Sequence, residues 1–367
     1  MEDILIANNK KKSSELIEEL RGLTPIFECT IATTQTAKIQ GISAAGAYPE
    51  ITDYTPPADV ELLFYGKCKC ISGVPVTPDG IPTPALITRS ALELAEISTF
   101  VVNAGLNIKP YVPFMEVGGK SGESIVTGKA VSSDREASEI KEVFERSVLL
   151  GKELAKTADY LVMGESIPGG TTTALAVLLA LGIDAEGKVS SSMPNNPHDI
   201  KIDTVNKAMK SAQITKGALK DSPLSAISKV GDPMQVVHTG IAIGAKDKIP
   251  VMLAGGTQMA AILALIDATV SNTDNIFIGT TKWIIEDKTS DLKGLVNQIA
   301  DIPILAANLD FSAISTSNQG LQKYEEGTVK EGVGAGGASI AAMLRKGEIN
   351  KEVLLKRIKQ NYEKLIN

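Results

Sequence analysis

Two short stretches set a glutamate against glycines and small or hydroxylated residues. They are Gly164-Glu165-Ser166-Ile167-Pro168-Gly169-Gly170-Thr171-Thr172-Thr173 and Lys330-Glu331-Gly332-Val333-Gly334-Ala335-Gly336-Gly337. Glycine lets a backbone approach a ligand closely and take up positive φ, and a helix start offers unpaired N–H groups to an anion. A carboxylate beside such a cradle can accept a proton from a bound reactant. The chemistry implied is a site that holds a phosphate and moves a proton.

The elements around these stretches must bring them together. Tyr160-Leu161-Val162-Met163 reads as a strand apolar on both faces that runs straight into Glu165, and 171–181 as the helix that follows. Further strands are expected at 25–31, 100–103, 249–253, 275–279 and 302–307. Helices are expected at 13–21, 85–97, 136–156, 201–212, 223–229, 235–246, 256–267, 291–299, 335–345 and 350–365, with Ser133-Asp134 as a cap for the one at 136. Pro56-Pro57 marks an irregular stretch, and Val60 to Tyr65 reads as a strand with Cys68 and Cys70 near its end. Apolar strands alternating with amphipathic helices predict a three-layer α/β fold: a mainly parallel, Rossmann-like sheet with helices on both faces. Ligands bind at the carboxyl ends of such strands, where Gly105, Glu165, Gly255-Gly256-Thr257 and Asn308-Leu309-Asp310 all fall.

Composition narrows the class. A chain of 367 residues with 43% hydrophobic and 22% charged residues can bury a large core, and a formal charge of −6 argues against nucleic acid as the main partner. The start, Met1-Glu2-Asp3-Ile4, lacks the basic and apolar regions of a secretory leader, and no segment has the apolar length of a membrane span. Three cysteines without accompanying ligands read as reduced thiols in a cytoplasmic protein.

Several chemistries lack their residues. The chain has only His198 and His238, the latter inside a predicted helix where a packed or surface role is favoured over a catalytic one, and no nucleophile elbow, Walker lysine or zinc-type Cys/His set. Gly332-x-Gly334-x-Gly336 follows no clear strand and is a weak dinucleotide signal, which disfavours a nicotinamide-dependent oxidoreductase. No Asp-Asp pair occurs, although enzymes using pyrophosphate-bearing ribosyl donors commonly need adjacent acids for magnesium. A ribosyl phosphate carrying a pyridinium base, which departs as a neutral ring, needs neither metal nor cofactor.

The resemblance becomes specific at this point. Gly164-Glu165-(three residues)-Gly169-Gly170-Thr171-Thr172 opening an Ala/Leu helix resembles a signature of the nicotinate-nucleotide–dimethylbenzimidazole phosphoribosyltransferases. Glu331-Gly332-Val333-Gly334-Ala335 resembles that family's segment bearing its catalytic glutamate. Asp232-Pro233 and Lys248-Ile249-Pro250-Val251-Met252-Leu253-Ala254-Gly255-Gly256 are similar to its central block, and the likeness runs from about residue 80 to 345. It implies transfer of ribosyl phosphate from nicotinate mononucleotide to a benzimidazole-like base, giving α-ribazole phosphate for cobamide assembly, by a homodimer. It further implies an α/β domain over 23–347 and a small helical appendage from 1–22 and 348–367.

On this resemblance Glu331 is the general base and Glu165 supports the reacting sugar. Ser166, Gly169, Gly170, Thr171, Thr172, Gly332 and Gly334 would hold ribose or phosphate, with Lys207 as the accompanying lysine. The chain departs from the family in several places, as a divergent branch would: the first 75 residues match only loosely, and Asp310-Phe311-Ser312-Ala313 stands near where an acidic-histidine segment is usual. Ser166 stands where a methionine is usual. Pro194-Asn195-Asn196-Pro197-His198 stands in place of a Gly-Arg-Gly-Thr-Gly turn, so Asn195 and Asn196 are expected to hold phosphate through side chains as well as backbone. The alternative is a non-catalytic or regulatory nucleotide-binding protein that keeps the cradle without turnover. For Glu331 alone, a solvated acid in the charged run 324–331 is the competing assignment; the glycines behind it and the family pattern outweigh that.

Overall fold

A strand apolar on both faces can be satisfied only inside a sheet covered on both sides, and the computed structural model arranges the chain in that way. It describes residues 3–45, 48–73, 77, 80–131, 137–193, 195–312, 314 and 319–366. The expected Ser133-Asp134 cap, and Pro194 of the asparagine turn, lie outside the described residues.

The strands are β1 (Ile4–Asn8), β2 (Pro25–Ala32), β3 (Ser98–Gly105), β4 (Met115–Glu116), β5 (Tyr160–Ser166), β6 (Val251–Ala254), β7 (Ile276–Thr281) and β8 (Ile304–Ala307). Among the described residues they form one sheet in the order β1-β8-β7-β6-β5-β2-β3-β4. Every pairing is parallel except that of the edge strand β1 with β8. From β2 the chain winds outward through β3 and β4, whereas from β5 it winds the other way through β6 to β8. The strand order therefore reverses between β2 and β5, where a crevice opens beyond the strand ends. Glu165 sits there, paired in register with Thr30.

Helices cover both faces. One face carries α4 (Ala137–Leu154), α5 (Gly170–Leu181), α6 (His198–Ser211), α7 (Pro223–Val230), α8 (Pro233–Lys246), α9 (Gln258–Val270) and α11 (Leu292–Asn297). The other carries α1 (Lys10–Leu20), α2 (Thr55–Tyr65), α3 (Ala85–Ala95), α12 (Ala335–Arg345) and α13 (Lys351–Ile366), while the short α10 (Lys282–Glu286) gives Ile284 to the first core and Trp283 to the second. Alternate residues of one strand serve the two cores: Leu161 and Met163 face the first, Tyr160 and Val162 the second. Among the described residues no helix is long and apolar enough to cross a membrane.

Two local expectations are corrected. Residues 60–65, read as a strand, belong to helix α2, and Pro56-Pro57 begin that helix rather than breaking the chain. Proline is tolerated in a first turn, where its missing N–H has no intrahelical acceptor. Residues 56–63 are all buried, so no polar face betrays the helical period, and Cys68 and Cys70 lie in the turns after α2. The second correction is β1, for which no strand was expected.

Residues 1–22 supply β1 and α1, and the C-terminal helix α13 lies against α3 with Tyr362 completely buried. The division into a domain and an appendage is therefore testable by substitution. Tyr362→Ala is expected to cost about 3–5 kcal/mol, the usual range for truncating a large buried aromatic residue. Chemical denaturation should show one transition moved to lower denaturant. A separate early transition with the main one unmoved would instead mark α13 as an independent unit.

Candidate active site

The two glutamate stretches meet at the switch point. β5 carries Glu165 to its carboxyl end, and the chain entering α12 crosses beside it, the Val333 N–H donating to the Glu165 carbonyl at 3.0 Å. Contact this close needs glycine: a Cβ on Gly334 would lie 3.0 Å from the Gly164 Cα, and one on Gly336 would lie 2.0 Å from the Thr280 carbonyl carbon. Val333 itself adopts φ 53°, a left-handed conformation rare for a β-branched residue, and the Thr88 hydroxyl holds its carbonyl at 2.8 Å.

A cavity of about 360 Å³ opens over this junction. Of the residues expected in the site, Glu165, Ser166, Gly169, Gly170, Thr171, Glu331 and Gly332 line it. Gly334 caps α12 just behind the wall, and Thr172 is buried within α5, outside the lining. Two expected residues are elsewhere. Lys207 lies on the exposed side of α6 and does not line the cavity, and Asn195 is exposed. The Asn196 amide is occupied in structure, donating to Asp287 Oδ2 at 3.0 Å and Thr289 Oγ1 at 2.7 Å.

The lysine that does reach the phosphate loop is Lys201, on the inner side of α6. Its side chain is fully buried, and its Nζ donates to Thr171 Oγ1 at 2.9 Å and to the Ser190 carbonyl. Thr171 and Ser190 both line the cavity. Burial, reinforced by repulsion from Lys330, pulls the Lys201 pKa down to about 7. The first turns of α5 and α9 converge beside it, for a Cβ on Gly170 would strike the Gln258 side chain at 2.1 Å. Two helix N-termini and a buried amine thus make one wall of the cavity electropositive.

The carboxylates lie beside this wall. Glu165 accepts from the Ile167 N–H at 2.9 Å and from Gln258 Nε2 at 3.1 Å. Burial raises its pKa to about 8, and the charges of Asp232, Glu331 and Asp59 add to the shift. Glu331 accepts from the Gly332 N–H at 3.1 Å and the Gly336 N–H at 3.2 Å, in the first turn of α12. Burial brings its pKa to about 7, although these backbone donors pull the other way. The neighbouring Lys330 is clamped: its carbonyl accepts from Thr281 Oγ1 at 2.6 Å, and its Nζ lies 3.5 Å from Asp287. Trp283, Phe311 and Tyr324 pack together in the second core, with ring centroids 5.1–5.5 Å apart. Glu331 and Glu165 are therefore fixed, desolvated and poised to change protonation near neutral pH.

A third carboxylate, Asp59 of α2, has no signal in the sequence because its segment reads as irregular. It lines the cavity, accepting from Ser166 Oγ at 2.6 Å and Thr83 Oγ1 at 2.7 Å. Burial raises its pKa to about 6 against those two bonds. His238, on the buried side of α8, is fully enclosed, with Nδ1 3.2 Å from Thr30 Oγ1 of β2, and is packed rather than on the surface. Among the described residues no group of three or more His, Cys, Asp or Glu side chains is arranged to hold a metal.

Comparison with known proteins bears on the family and the fold. A family model described as phosphoribosyltransferase matches residues 92–282. The UPF0284 protein of Sulfolobus acidocaldarius is 48% identical over 95% of this chain and 99% of its own length. That of Methanothermobacter thermautotrophicus is 43% identical over 95% of each. Among solved structures, the nicotinate-nucleotide-dimethylbenzimidazole phosphoribosyltransferase of Thermus thermophilus superposes with a TM-score of 0.55 over 92% of this chain and 91% of its own, at 17% identity, and so shares the fold. A phosphoribosyltransferase model over half the chain and near-full-length relatives at this identity make it a member of the phosphoribosyltransferase family, within the UPF0284 proteins.

Proposed function

We propose that the protein transfers the phosphoribosyl group of nicotinate mononucleotide to a benzimidazole-like base, forming an α-ribazole phosphate for cobamide assembly. The carrying observation is the pair of desolvated glutamates, Glu165 and Glu331, facing one cavity beside an electropositive wall at the sheet's switch point. The donor phosphate binds at the 165–173 loop, where the first turns of α5 and α9 and the Lys201 amine supply positive potential. A ring nitrogen of the acceptor attacks C1′ from the face opposite the pyridinium. The C1′–N bond breaks with its electrons returning to the ring, nicotinate leaves, and the anomeric configuration inverts. Bond formation acidifies the acceptor's other N–H, and Glu331 takes that proton. Glu165 stands beside the sugar, where positive charge develops. The enzyme works as a homodimer on this reading.

Glu331→Gln keeps size and hydrogen bonding while deleting the base. Turnover is expected to fall by about 10²–10⁴, the usual contribution of general acid–base catalysis, with nucleotide affinity nearly intact. Unchanged turnover would move the base to Glu165. Nucleotide binding without turnover on any base, in the wild type, would favour a regulatory protein instead.

The pH profile carries the same signature. A general base must be ionised, and burial holds Glu331 protonated until about pH 7. Steady-state rates are therefore expected to fall below about pH 7 and level off above it. A profile flat down to pH 5 would show that no such carboxylate limits the rate.

The two lysines of α6 separate by calorimetry. Lys201→Met is expected to weaken nicotinate mononucleotide binding by roughly 10-fold or more, as for losing a charged hydrogen-bonding group. Lys207→Ala, on the exposed side, should leave it unchanged. The reverse result would overturn the phosphate assignment.

A further inference from the structure

Asp59 has no part in the chemistry above, yet it is only 3% exposed and lines the cavity. The apolar Ile42, Ile51, Ala58, Ile81 and Pro84 line the same cavity. The Thr83-Pro84 stretch that holds Asp59 abuts the catalytic segment, since a Cβ on Gly332 would lie 3.2 Å from the Pro84 ring. An ionised carboxylate offers about four acceptor positions; the Ser166 and Thr83 hydroxyls use one on each oxygen. A purely hydrocarbon ring edge placed here would bury the remaining positions without donors, which is unfavourable for a charged group. A ring edge carrying an O–H or N–H would satisfy them.

We propose that Asp59 selects the acceptor, and that the base carries a hydrogen-bond donor, hydroxyl or amino, on the edge away from its reacting nitrogens. This rests on the phosphoribosyl-transfer reading. Ser166 then has a specific purpose: with Thr83 it orients the Asp59 carboxylate toward the incoming ring.

Paired bases test it, with nicotinate mononucleotide as donor at pH 8, where Asp59 is ionised. 5-Hydroxybenzimidazole is compared with 5-methoxybenzimidazole, and adenine with purine, each pair differing in the donor. Both transfer rate and direct binding of each base are measured. One donor-bearing base should be preferred over its partner by about 10- to 100-fold in kcat/KM, as for a hydrogen bond to a charged group. The hydroxyl pair or the amino pair, whichever discriminates, identifies the substituent. Asp59→Asn, which can still bond both hydroxyls, should reduce that preference to within about threefold. Equal use and binding within both pairs would overturn the proposal while leaving phosphoribosyl transfer standing, and so would a preference that survives Asp59→Asn. Neither binding nor transfer with any base would overturn both readings.

Discussion

The site depends on how closely the entry to α12 can approach the end of β5. The Val333 N–H reaches the Glu165 carbonyl at 3.0 Å only because Gly164, Gly334 and Gly336 carry no side chains where backbones meet. That contact places the Glu331 and Glu165 carboxylates over one cavity and sets the Glu331 carboxylate against the Gly336 N–H in the first turn of α12. It also forces Val333 into a left-handed conformation, which costs roughly 1–2 kcal/mol for a residue with a Cβ. Such strain survives only where surrounding structure over-determines it. Here the Thr88 hydroxyl on the Val333 carbonyl and the Thr281 hydroxyl on the Lys330 carbonyl both hold the segment.

Electrostatics follow from this geometry. Asp59, Glu165, Asp232 and Glu331 lie near one another with little solvent, so each is pushed toward its neutral form. Backbone N–H groups offset part of that penalty for Glu165 and Glu331, giving carboxyls that exchange protons near neutrality instead of staying charged. Burial works in the opposite sense on Lys201 and Lys330, lowering the affinity of each for its proton. Acidic and basic groups are thus brought closer in proton affinity by the same loss of water.

Much of this architecture was legible because burial on both faces of a parallel strand leaves an unmistakable apolar run, and glycines at strand ends punctuate it. Glu165 and Glu331 were legible because each stands directly before a glycine-rich helix entry. Helix α2 was misread because a fully buried helix lacks a polar face, and its two prolines suggest a break until they are seen in its first turn. Lys207 and Lys201 are six residues apart, about 240° around the helix axis, so one faces inward when the other faces out. The mixed pattern of α6 gave no means of telling which.

From the sequence alone come the alternation of strands and helices, the two glutamate–glycine segments and the family they resemble. All of these are local: each is written in consecutive residues whose period or punctuation has a direct conformational meaning. The tertiary structure decided the partners. Asp59 enters the cavity from a different helix to meet Ser166, Lys201 rather than Lys207 turns to Thr171, and Asn196 is taken up by Asp287 and Thr289. Such contacts depend on which faces of distant elements are apposed when the sheet is assembled, and no spacing along the chain encodes that.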